Sequence, residues 1–462
     1  MVENGAAAIQ PSTASPQDLD SLALAVTNLL QSVAKAAGRP VRKGARSVPW
    51  WTEECALAAA EYRTRVVRRV KRRYWRDIID SFTDSASVFK AVRWLRSPGS
   101  FQPPPLQVDD TVYETQLDKA NALRRPTLER RTSQDDIADP WIPVITRRTI
   151  PFAQSVSLEE VRDATLRTGN TSPGSANITV KMLRAVWHVI GNLVHKLYQG
   201  CLNVGHHPKP FREAEVARAW RPISLLSCLG KGLERLIARR LAWASVHYGV
   251  LHPQQAGALP KRSAADLVSA LVHDIEGAFA RNMVATVVTL DAEGAFDTVL
   301  QNRLILRLRQ QGWPPNVARW AGSLMHDRSA SVRYQDITTT SSPLPCGLPQ
   351  GSPASPILYL LYTEPIYRLR NPKGRFGYAD DTAILCVGNT LEETARKASR
   401  HVRELVEWGT ENAITFDPKK TEVMHLSRTK PATAPPVFHG GVEKRPESAL
   451  RWLGIWLDST LT

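Results

Sequence analysis

Two adjacent carboxylates, Asp380 and Asp381, are the side chains of this chain that most directly indicate chemistry. They follow Tyr378-Ala379 between short apolar, β-prone runs, which predicts a hairpin whose turn is Ala-Asp-Asp. Because neighbouring carboxylates repel each other, an apolar setting disfavours them unless a cation is bound. Mg²⁺ suits this position, since it takes carboxylate oxygens and keeps coordination positions open for phosphate. A surface turn is the alternative, because Asp is common in turns for backbone reasons alone.

A third carboxylate, Asp291, follows the predicted buried strand Val284–Leu290. Adjacent strands of one sheet could carry Asp291 next to Asp380 and Asp381. Three acids at one sheet edge would form a site for two Mg²⁺ ions, with Mn²⁺ as an alternative, that clamp the attacking and leaving oxygens of a phosphoryl transfer. A strand that simply ends at a polar loop is the other interpretation.

Two further segments contain residues suited to a nucleotide site. Phe296 lies shortly after Asp291, where its ring could close over the 2′ position of a sugar, reject ribonucleotides and admit deoxynucleotides. The Gly/Pro-rich segment 347–356 is predicted to open a helix. Within it, Gln350 and Gly351 could lie against a template–substrate base pair.

The composition favours a polyanionic partner. The 462 residues include 60 Lys and Arg against 44 Asp and Glu, for a net charge of +16. Nucleic acid is favoured over a membrane, because no apolar run approaches the length of a bilayer span. A basic soluble protein without such a partner is the alternative. The five cysteines are far apart and form no Cys-x-x-Cys, which favours a reducing intracellular setting.

An arginine-rich segment, residues 62–76, is predicted to lie in a long helix from Trp50 to about Ser81. Tyr and Val recur there every four residues and form one apolar stripe on an otherwise cationic rod. Its basic side chains are suited to neutralising phosphates along a nucleic-acid backbone. The candidates for this contact are Arg65, Arg68, Arg69, Arg72 and Arg73. A solvated face on a packing helix is the alternative.

The remaining pattern predicts an α+β fold with a small, mainly antiparallel sheet. An N-terminal helix is expected from Pro16 to Ala37, after a capping box at Ser15. Later helices are expected over 157–168, 179–203, 228–248, 263–281, 299–311, 354–369 and 390–410. Strands are expected over Val284–Leu290, Ser331–Tyr334, Gly374–Tyr378, Thr382–Val387, Glu422–Leu426 and Leu450–Leu457.

These segments together resemble the reverse transcriptases of non-LTR (LINE-type) retrotransposons, of the sort common in fungi. Seven blocks occur in the order of that family: Arg221-Pro-Ile-Ser-Leu-Leu-Ser, Pro253–Gly257 with Arg262-Ser263, Asp291–Asp297, Gly347–Pro356, Phe376–Asp381, Phe416–Thr421 and Trp452–Ile455. The resemblance implies that Arg221 meets the incoming triphosphate and that Lys420 protonates the leaving pyrophosphate. It also implies that Trp452–Ile455 is the primer-grip strand.

The resemblance implies a right-hand polymerase with fingers and palm, preceded by a helical N-terminal region. The predicted domains are an N-terminal helix and basic linker (1–48), an arginine-rich helical region (49–131), a linker (132–156), fingers (157–283) and palm (284–462). The implied partners are an RNA template, a DNA primer or target and deoxynucleoside triphosphates, with no membrane and no predicted oligomeric state. A nuclear or cytoplasmic ribonucleoprotein is expected, with a mitochondrial location left open.

Three departures from the family pattern keep other interpretations open. Ala214–Ala217 runs almost directly into the Arg221 block, so part of the fingers hairpin and a triphosphate-binding Lys are expected to be missing. Pro173–Ile178 differs from the usual Pro-Gly-x-Asp-Gly-Ile, and the chain ends soon after the primer-grip strand, so no thumb and no upstream endonuclease are expected. A catalytically impaired remnant that only binds nucleic acid is therefore the alternative, with weak or undetectable primer extension. An RNA-templated RNA polymerase is disfavoured by Phe296.

Overall fold

The structure is a computed structural model. It describes residues 2–37, 106–108, 111–113, 115, 117–119, 121–122, 135–146, 148–169, 173–217, 223–334, 337–370, 374–429 and 434–461. The chain forms two compact units, one made of Met1–Ala36 with Thr115–Thr462 and the other of Ala37–Glu114. In the smaller unit, strands β1 (Leu106–Val108) and β2 (Thr111–Tyr113) form an antiparallel hairpin. The predicted arginine-rich helix, with Arg65, Arg68, Arg69, Arg72 and Arg73, lies outside the described residues.

The larger unit contains most of the described helices. They are α1 (Val2–Ala7), α2 (Pro16–Ala37), α3 (Leu158–Leu166), α4 (Val180–Val204), α5 (Cys228–His247), α6 (Ala264–Ala280), α7 (Gln301–Gln311), α8 (Pro315–Met325), α9 (Ser355–Thr363) and α10 (Leu391–Glu411). Three short 3₁₀ helices cover Lys209–Phe211, Glu364–Arg368 and Pro418–Lys420. Ser15 caps α2 as predicted, since its hydroxyl accepts from Asp18 N–H and Asp18 accepts from Ser15 N–H.

A six-stranded sheet organises the second half of the chain. Its members are β5 (Gln255–Ala256), β6 (Val284–Glu293), β10 (Arg375–Tyr378), β11 (Asp381–Gly388), β12 (Thr415–Phe416) and β13 (Glu422–Leu426). The order is β12-β6-β11-β10-β5, and β13 pairs with another part of β6. Every pair is antiparallel except β10 with β5. The predicted α+β class with a small, mainly antiparallel sheet is confirmed.

A second sheet of five short strands joins the region before α5 to the region after α8. It contains β3 (Ala214–Ala217), β4 (Ile223–Leu225), β7 (Arg328–Tyr334), β8 (Ile337–Thr338) and β9 (Ser342–Leu344), in the order β4-β3-β7-β8 with β9 on β7. β3 and β4 form an antiparallel hairpin. Residues 218–222 between them, which include Arg221, lie outside the described residues. The loss of a Lys-rich fingers loop therefore stays a prediction.

The central strand β6 is buried on both faces. Val288, Leu290 and Ala292 belong to the large core that also contains α2, α4, α5 and α7, whereas Ala285 and Val287 belong to a second core under α6. A strand covered on both sides reads as a continuous apolar run, which is why the sequence identified it. It extends to Glu293, beyond the predicted end at Leu290, because β12 pairs with Ala292 and Glu293.

Two of the predicted β segments differ from the structure in the position of their turns. Asp381 pairs with Tyr378, so the hairpin turn is Ala379-Asp380 alone, and Asp381 is the first residue of β11. The predicted single strand Leu450–Leu457 is two antiparallel strands, β16 (Ala449–Trp452) and β17 (Ile455–Asp458). Leu453 and Gly454 both have positive φ, as a two-residue hairpin turn requires. A neighbouring hairpin is formed by β14 (Val437–His439) and β15 (Val442–Lys444).

Helix boundaries differ from the sequence predictions where proline or a distant side chain intervenes. The expected helix 354–369 ends at Thr363 and continues as the 3₁₀ helix Glu364–Arg368, because Pro365 has no N–H to donate. The predicted helix 299–311 starts at Gln301. Its N-terminus is capped from outside, since the Asp136 carboxylate accepts hydrogen bonds from Asn302 N–H and Arg303 N–H. Helix α8 was not predicted.

Within the larger unit, helix α2 and the segment before α3 contact later parts of the chain. Asp20 of α2 accepts a hydrogen bond from Lys209 N–H and lies 2.8 Å from His206 Nε2. In the predicted linker 132–156, the Arg309 guanidinium donates to the carbonyls of Pro140 and Ile142 and lies over the ring of Trp141. The described part of that segment is therefore held against α7 by hydrogen bonds. None of the helices among the described residues has the length and apolarity needed to cross a membrane.

Candidate active site

A cleft of about 560 Å³ brings together six of the residues that the sequence singled out. Its lining includes Asp291, Phe296, Gln350, Gly351, Asp380 and Lys420. These residues come from β6, the loop after it, the segment before α9, the β10–β11 turn and the 3₁₀ helix after β12. Asp381 lies on the adjoining strand without lining the cleft, and Arg221 lies outside the described residues.

The carboxylates are placed by strand register. Asp381 on β11 lies directly opposite Asp291 on β6, so both side chains project from the same face of the sheet. Asp380 is the second residue of the two-residue turn and reaches the cleft from the end of the hairpin. Like charges at directly opposite positions are destabilising unless a cation offsets them.

Close backbone packing holds the turn that carries Asp380. Ala379 has φ of 56°, and its N–H donates to the Ala256 carbonyl at 3.1 Å. Gly257 has φ of 82°, and a Cβ there would lie 2.7 Å from Ala379 N. The backbone of Pro253–Gly257 therefore packs directly against the turn, and only glycine fits at position 257.

Lys420 contacts the first of the carboxylates. Its Nζ lies 2.8 Å from Asp291 Oδ2, and this hydrogen bond raises the pKa of Lys420. The backbone brings the two together, because Phe416 pairs with Ala292 and Asp417 N–H donates to the Asp291 carbonyl. Both side chains remain partly exposed to the cleft, with 59% of the Lys420 side chain and 32% of the Asp291 side chain accessible.

Phe296 forms an apolar wall of the cleft. It is half-buried, and its ring centroid lies 5.3 Å from that of the buried Tyr359 on α9. Burial and the negative charges of Asp380 and Asp291 keep the pKa of Tyr359 well above its ordinary value. Tyr359 is therefore a neutral, rigid support behind the Phe296 ring.

The segment that carries Gln350 and Gly351 is attached to the loop after β6 and to the β3–β4 hairpin. Leu348 N–H donates to the Phe296 carbonyl at 2.7 Å, and Ser224 N–H of β4 donates to the Gln350 carbonyl at 2.7 Å. Gly347 has φ of 89° and packs so tightly on the Asp297 backbone that a Cβ would lie 2.9 Å from it. Gly351 has φ of 110° and is exposed, which leaves open backbone at the cleft.

The carboxylates of the site are suitable ligands for a hard divalent cation, although their side chains do not converge on one point. Within the described ranges, no three His, Cys, Asp or Glu side chains are close enough together to form a metal cluster. Asp291 is instead paired with the Lys420 ammonium. Carboxylate oxygens projecting from one sheet face are nevertheless the ligands that Mg²⁺ and Mn²⁺ take.

Sequence reasoning missed a buried charged cluster beneath the Gln350 segment. Glu234 of α5 and Arg328 of β7 are buried and contact opposite ends of that segment. Glu234 falls at helical spacing from the apolar residues Ile237 and Leu241 of α5, and this was the available signal. An acid at a core-facing position must find a buried partner.

Comparison with known proteins identifies the family. Residues 208–457 match the family model described as "Reverse transcriptase (RNA-dependent DNA polymerase)". The chain belongs to the reverse transcriptase family, with an α+β fold of polymerase fingers and palm. The six-stranded sheet with Asp291, Asp380 and Asp381 is the palm sheet of this fold.

Curated relatives come from transposable elements. The chain is 30% identical over 312 residues to the "Probable RNA-directed DNA polymerase from transposon BS" of Drosophila melanogaster, covering 63% of this chain and 34% of that protein. It is 25% identical to the corresponding X-element protein of the same fly, covering 81% of this chain and 44% of that protein. The chain thus spans less than half the length of these relatives. Both come from an insect, and the resemblance to fungal elements stays a prediction.

Solved structures of telomerase also align with this chain. The "Structure of apo telomerase from Candida Tropicalis" has a TM-score of 0.39 and 10% identity, covering 55% of this chain and 48% of that chain. A truncated form of the same telomerase has a TM-score of 0.38 and 11% identity, covering 55% and 54%.

Proposed function

We propose that this chain is the polymerase region of a non-LTR retrotransposon and that it catalyses RNA-directed DNA synthesis. The observation that carries the proposal is the cleft in which Asp291, Asp380 and Lys420 meet Phe296 and Gln350. In the proposed reaction, the 3′ hydroxyl of a DNA primer attacks the α-phosphate of a deoxynucleoside triphosphate, and pyrophosphate leaves. The partners are an RNA template, a DNA primer or target and deoxynucleotides.

The three carboxylates are the proposed metal ligands. Asp291, Asp380 and Asp381 would hold two Mg²⁺ ions, or Mn²⁺, which supply charge neutralisation at the attacking and leaving oxygens of the transfer. The opposed positions of Asp291 and Asp381 support this role, because a like-charged cross-strand pair is favourable only where cationic charge offsets it. The ion pair of Lys420 with Asp291 supports it further, because a cation already lies 2.8 Å from this carboxylate in the cleft.

The other cleft residues position the nucleotide and move one proton. Lys420 carries an ammonium proton at the edge of the cleft, and we assign it the protonation of the leaving pyrophosphate. Phe296 lines the cleft where a 2′ hydroxyl would lie, and its ring packs on Tyr359. Gln350 and the open backbone at Gly351 would contact the nascent base pair. Arg221 would contact the triphosphate.

The proposal is tested by single-nucleotide addition to a DNA primer annealed to RNA, with Mg²⁺ and one deoxynucleotide. Single addition isolates the transfer step and does not require processive synthesis. We expect Asp380→Asn to reduce the rate on the order of 10³-fold, because it removes a charged group that acts on the transition state. Asp135→Asn is the matched control, since Asp135 is exposed and does not line the cleft.

Two results would contradict the proposal. If the wild-type chain binds the primed template but adds no nucleotide with either Mg²⁺ or Mn²⁺, the impaired remnant is the better description. If addition proceeds equally well in Asp380→Asn, the transfer does not use this cleft. Equal use of ribonucleotides and deoxynucleotides by the wild-type chain would instead favour an RNA polymerase.

A further inference from the structure

A buried carboxylate lies behind the cleft without reaching it. Glu234 is fully buried on α5, and its Oε2 accepts a hydrogen bond from the Ser352 hydroxyl. Ser352 lies in the segment that carries Gln350 and Gly351, and it lines the cleft. The other oxygen, Oε1, lies 3.7 Å from Nε2 of the equally buried His207, which is too far for a hydrogen bond. Oε1 has no hydrogen-bond partner among the described residues.

The Ser352 hydroxyl has all of its hydrogen-bonding positions occupied. The oxygen accepts from the N–H groups of Ala354 at 3.1 Å and Ser355 at 3.3 Å, the residues at the start of α9, while its proton goes to Glu234. A hydroxyl has one donor and two acceptor positions, so all three are occupied. This arrangement requires an acceptor at Glu234, because Ser352 has no lone pair left for a proton donated by a carboxylic acid.

The opposite end of the segment is held by a buried cation. Arg328 of β7 donates from Nη1 to the Gly347 carbonyl at 2.6 Å and is almost fully buried. Gly347 N–H also donates to the Val299 carbonyl at 2.9 Å. The stretch between Gly347 and Ser352, with Gln350 and Gly351, is therefore anchored at both ends by charged groups that lie outside the cleft.

We propose that Glu234 is a positioning residue for nucleotide binding, which acts through Ser352 to hold Gln350 and Gly351 against the incoming nucleotide. This inference rests on the proposed function for its substrate. Nucleotide affinity would then depend on Glu234, whose side chain contacts neither the nucleotide nor the metal. Because Ser224 of β4 also donates to the Gln350 carbonyl, α5 and the hairpin before it hold the same segment from two sides.

The charge state of Glu234 gives the proposal a pH signature. Burial raises the pKa of Glu234 to about 7, against the bond from Ser352 and the positive charges of Lys231, Arg328 and Arg235. His207, the remaining titratable group facing it, is kept neutral because burial lowers its pKa well below the ordinary value. Above pH 7 the carboxylate is ionised and accepts from Ser352 through a charge-assisted bond. Below pH 7 that bond weakens, so the KM for nucleotide should rise as pH falls from 8 to 6.

The test compares wild type, Glu234→Gln and Ser352→Ala in steady-state single-nucleotide addition between pH 6 and 8. At pH 8 we expect Glu234→Gln to raise the nucleotide KM about tenfold, with kcat changed by less than about twofold. Its KM should no longer respond to pH in the way that the wild-type KM does. Ser352→Ala should raise KM in the same direction, because it removes the hydrogen bond that Glu234→Gln weakens by taking away its charge. The double variant should add little to Ser352→Ala, since both changes act on the same bond. Glu364→Gln is the matched control, since Glu364 is also buried with a raised pKa but accepts from Arg368.

A second measurement separates this inference from the proposed function. Hydrogen–deuterium exchange of the peptide 347–356, corrected for intrinsic rates, should be faster in Glu234→Gln than in wild type and unchanged in Glu364→Gln. The thermal midpoint of Glu234→Gln should not fall, because a buried charge is replaced by a neutral isostere. Unchanged KM and unchanged exchange would overturn the inference, as would a fall in thermal midpoint and kcat with KM unaltered. If wild type adds no nucleotide, the proposed function fails, and the exchange result alone decides whether Glu234 holds the segment.

Discussion

Asp291 and Lys420 form the most informative contact at the scale of single residues. Their side chains are 2.8 Å apart, and both are accessible from the cleft. An exposed pair of this kind adds little to folding stability. Its importance is positional, because it places a proton donor next to a proposed metal ligand before any substrate binds. The effect of removing Lys420 should therefore appear in turnover and leave the fold intact.

We expect Lys420→Met to lower kcat for nucleotide addition about 10²-fold, since it removes the proposed general acid. Lys420→Arg should retain more activity than Lys420→Met, because it keeps the cation beside Asp291. Lys419→Met is the control, as the neighbouring Lys419 is exposed and does not line the cleft. Equal loss in Lys419→Met and Lys420→Met would show that only local charge matters.

Phe296 is expected to select the sugar. Replacing it with Ala removes the ring that packs on Tyr359 and opens space where a 2′ hydroxyl would lie. The ratio of kcat/KM for a deoxynucleotide over its ribonucleotide should fall at least about tenfold. Phe438→Ala is the control, since Phe438 is half exposed on β14 and does not line the cleft. An unchanged ratio in Phe296→Ala would remove Phe296 from the specificity site.

At the scale of elements, the active-site turn depends on a strand that does not carry a proposed catalytic residue. β5 is only two residues long, yet it pairs in parallel with β10 at Gly377 and Tyr378. Gly377 leaves room for the Tyr367 side chain, whose hydroxyl would lie 1.7 Å from a Cβ at that position. Gly257, which directly follows β5, packs against the backbone of Ala379. Pairing with β5, the close approach of Gly257 to Ala379 and the fit of Tyr367 against Gly377 together fix the hairpin that carries Asp380 and Asp381.

Gly257→Ala should therefore disturb the turn directly. A Cβ would meet Ala379 N at 2.7 Å, and φ of 82° strains any other residue. We expect a loss of stability of about 1–3 kcal/mol and a loss of activity larger than that stability change explains. Gly249→Ala is the matched control, because Gly249 has φ of 60° with nothing within 4 Å of the added Cβ. Thermal unfolding and nucleotide addition measure the two effects, and equal behaviour of the two variants would exclude a specific role for the contact.

At the scale of the whole molecule, the net charge of +16 is the property most relevant to a nucleic-acid partner. Cationic side chains displace counterions from phosphates, so affinity for RNA should fall steeply with salt. The arginine-rich segment 62–76 contains eight Lys and Arg and is the sequence region with the densest positive charge that we identified. Its contribution can be measured against an equal loss of charge elsewhere.

We expect the triple change Arg68, Arg69 and Arg72→Gln to weaken filter binding to single-stranded RNA and to make its dependence on salt shallower by about 2, on a log–log scale. The charge-matched control changes Arg396, Arg400 and Arg403→Gln, three exposed residues of α10. If both variants lose affinity equally, net charge alone explains binding. If neither loses affinity, the electrostatic model for RNA binding is wrong.

Local chemistry made part of the fold predictable. The largely apolar, β-branched run Val284–Leu290 before Asp291 identified β6, and Ser15 with Asp18 identified the start of α2. The predictions failed where a remote group sets the boundary. Asp136 fixes the first turn of α7 from outside the helix, and β12 extends β6 past Leu290. Neither partner is near in sequence, so no local pattern could reveal it.

By itself, the sequence determined which groups are available for chemistry: three aspartates in two β segments, a phenylalanine after one of them, and an open glycine segment. Tertiary structure decided which of them meet. The register of β11 on β6 places Asp381 opposite Asp291, and β12 brings Lys420 to the same carboxylate. It also decided that Glu234 is buried beneath Ser352. The physical reason is that residue type and short-range spacing limit possible chemistry, whereas register and burial result from packing between segments far apart in the chain.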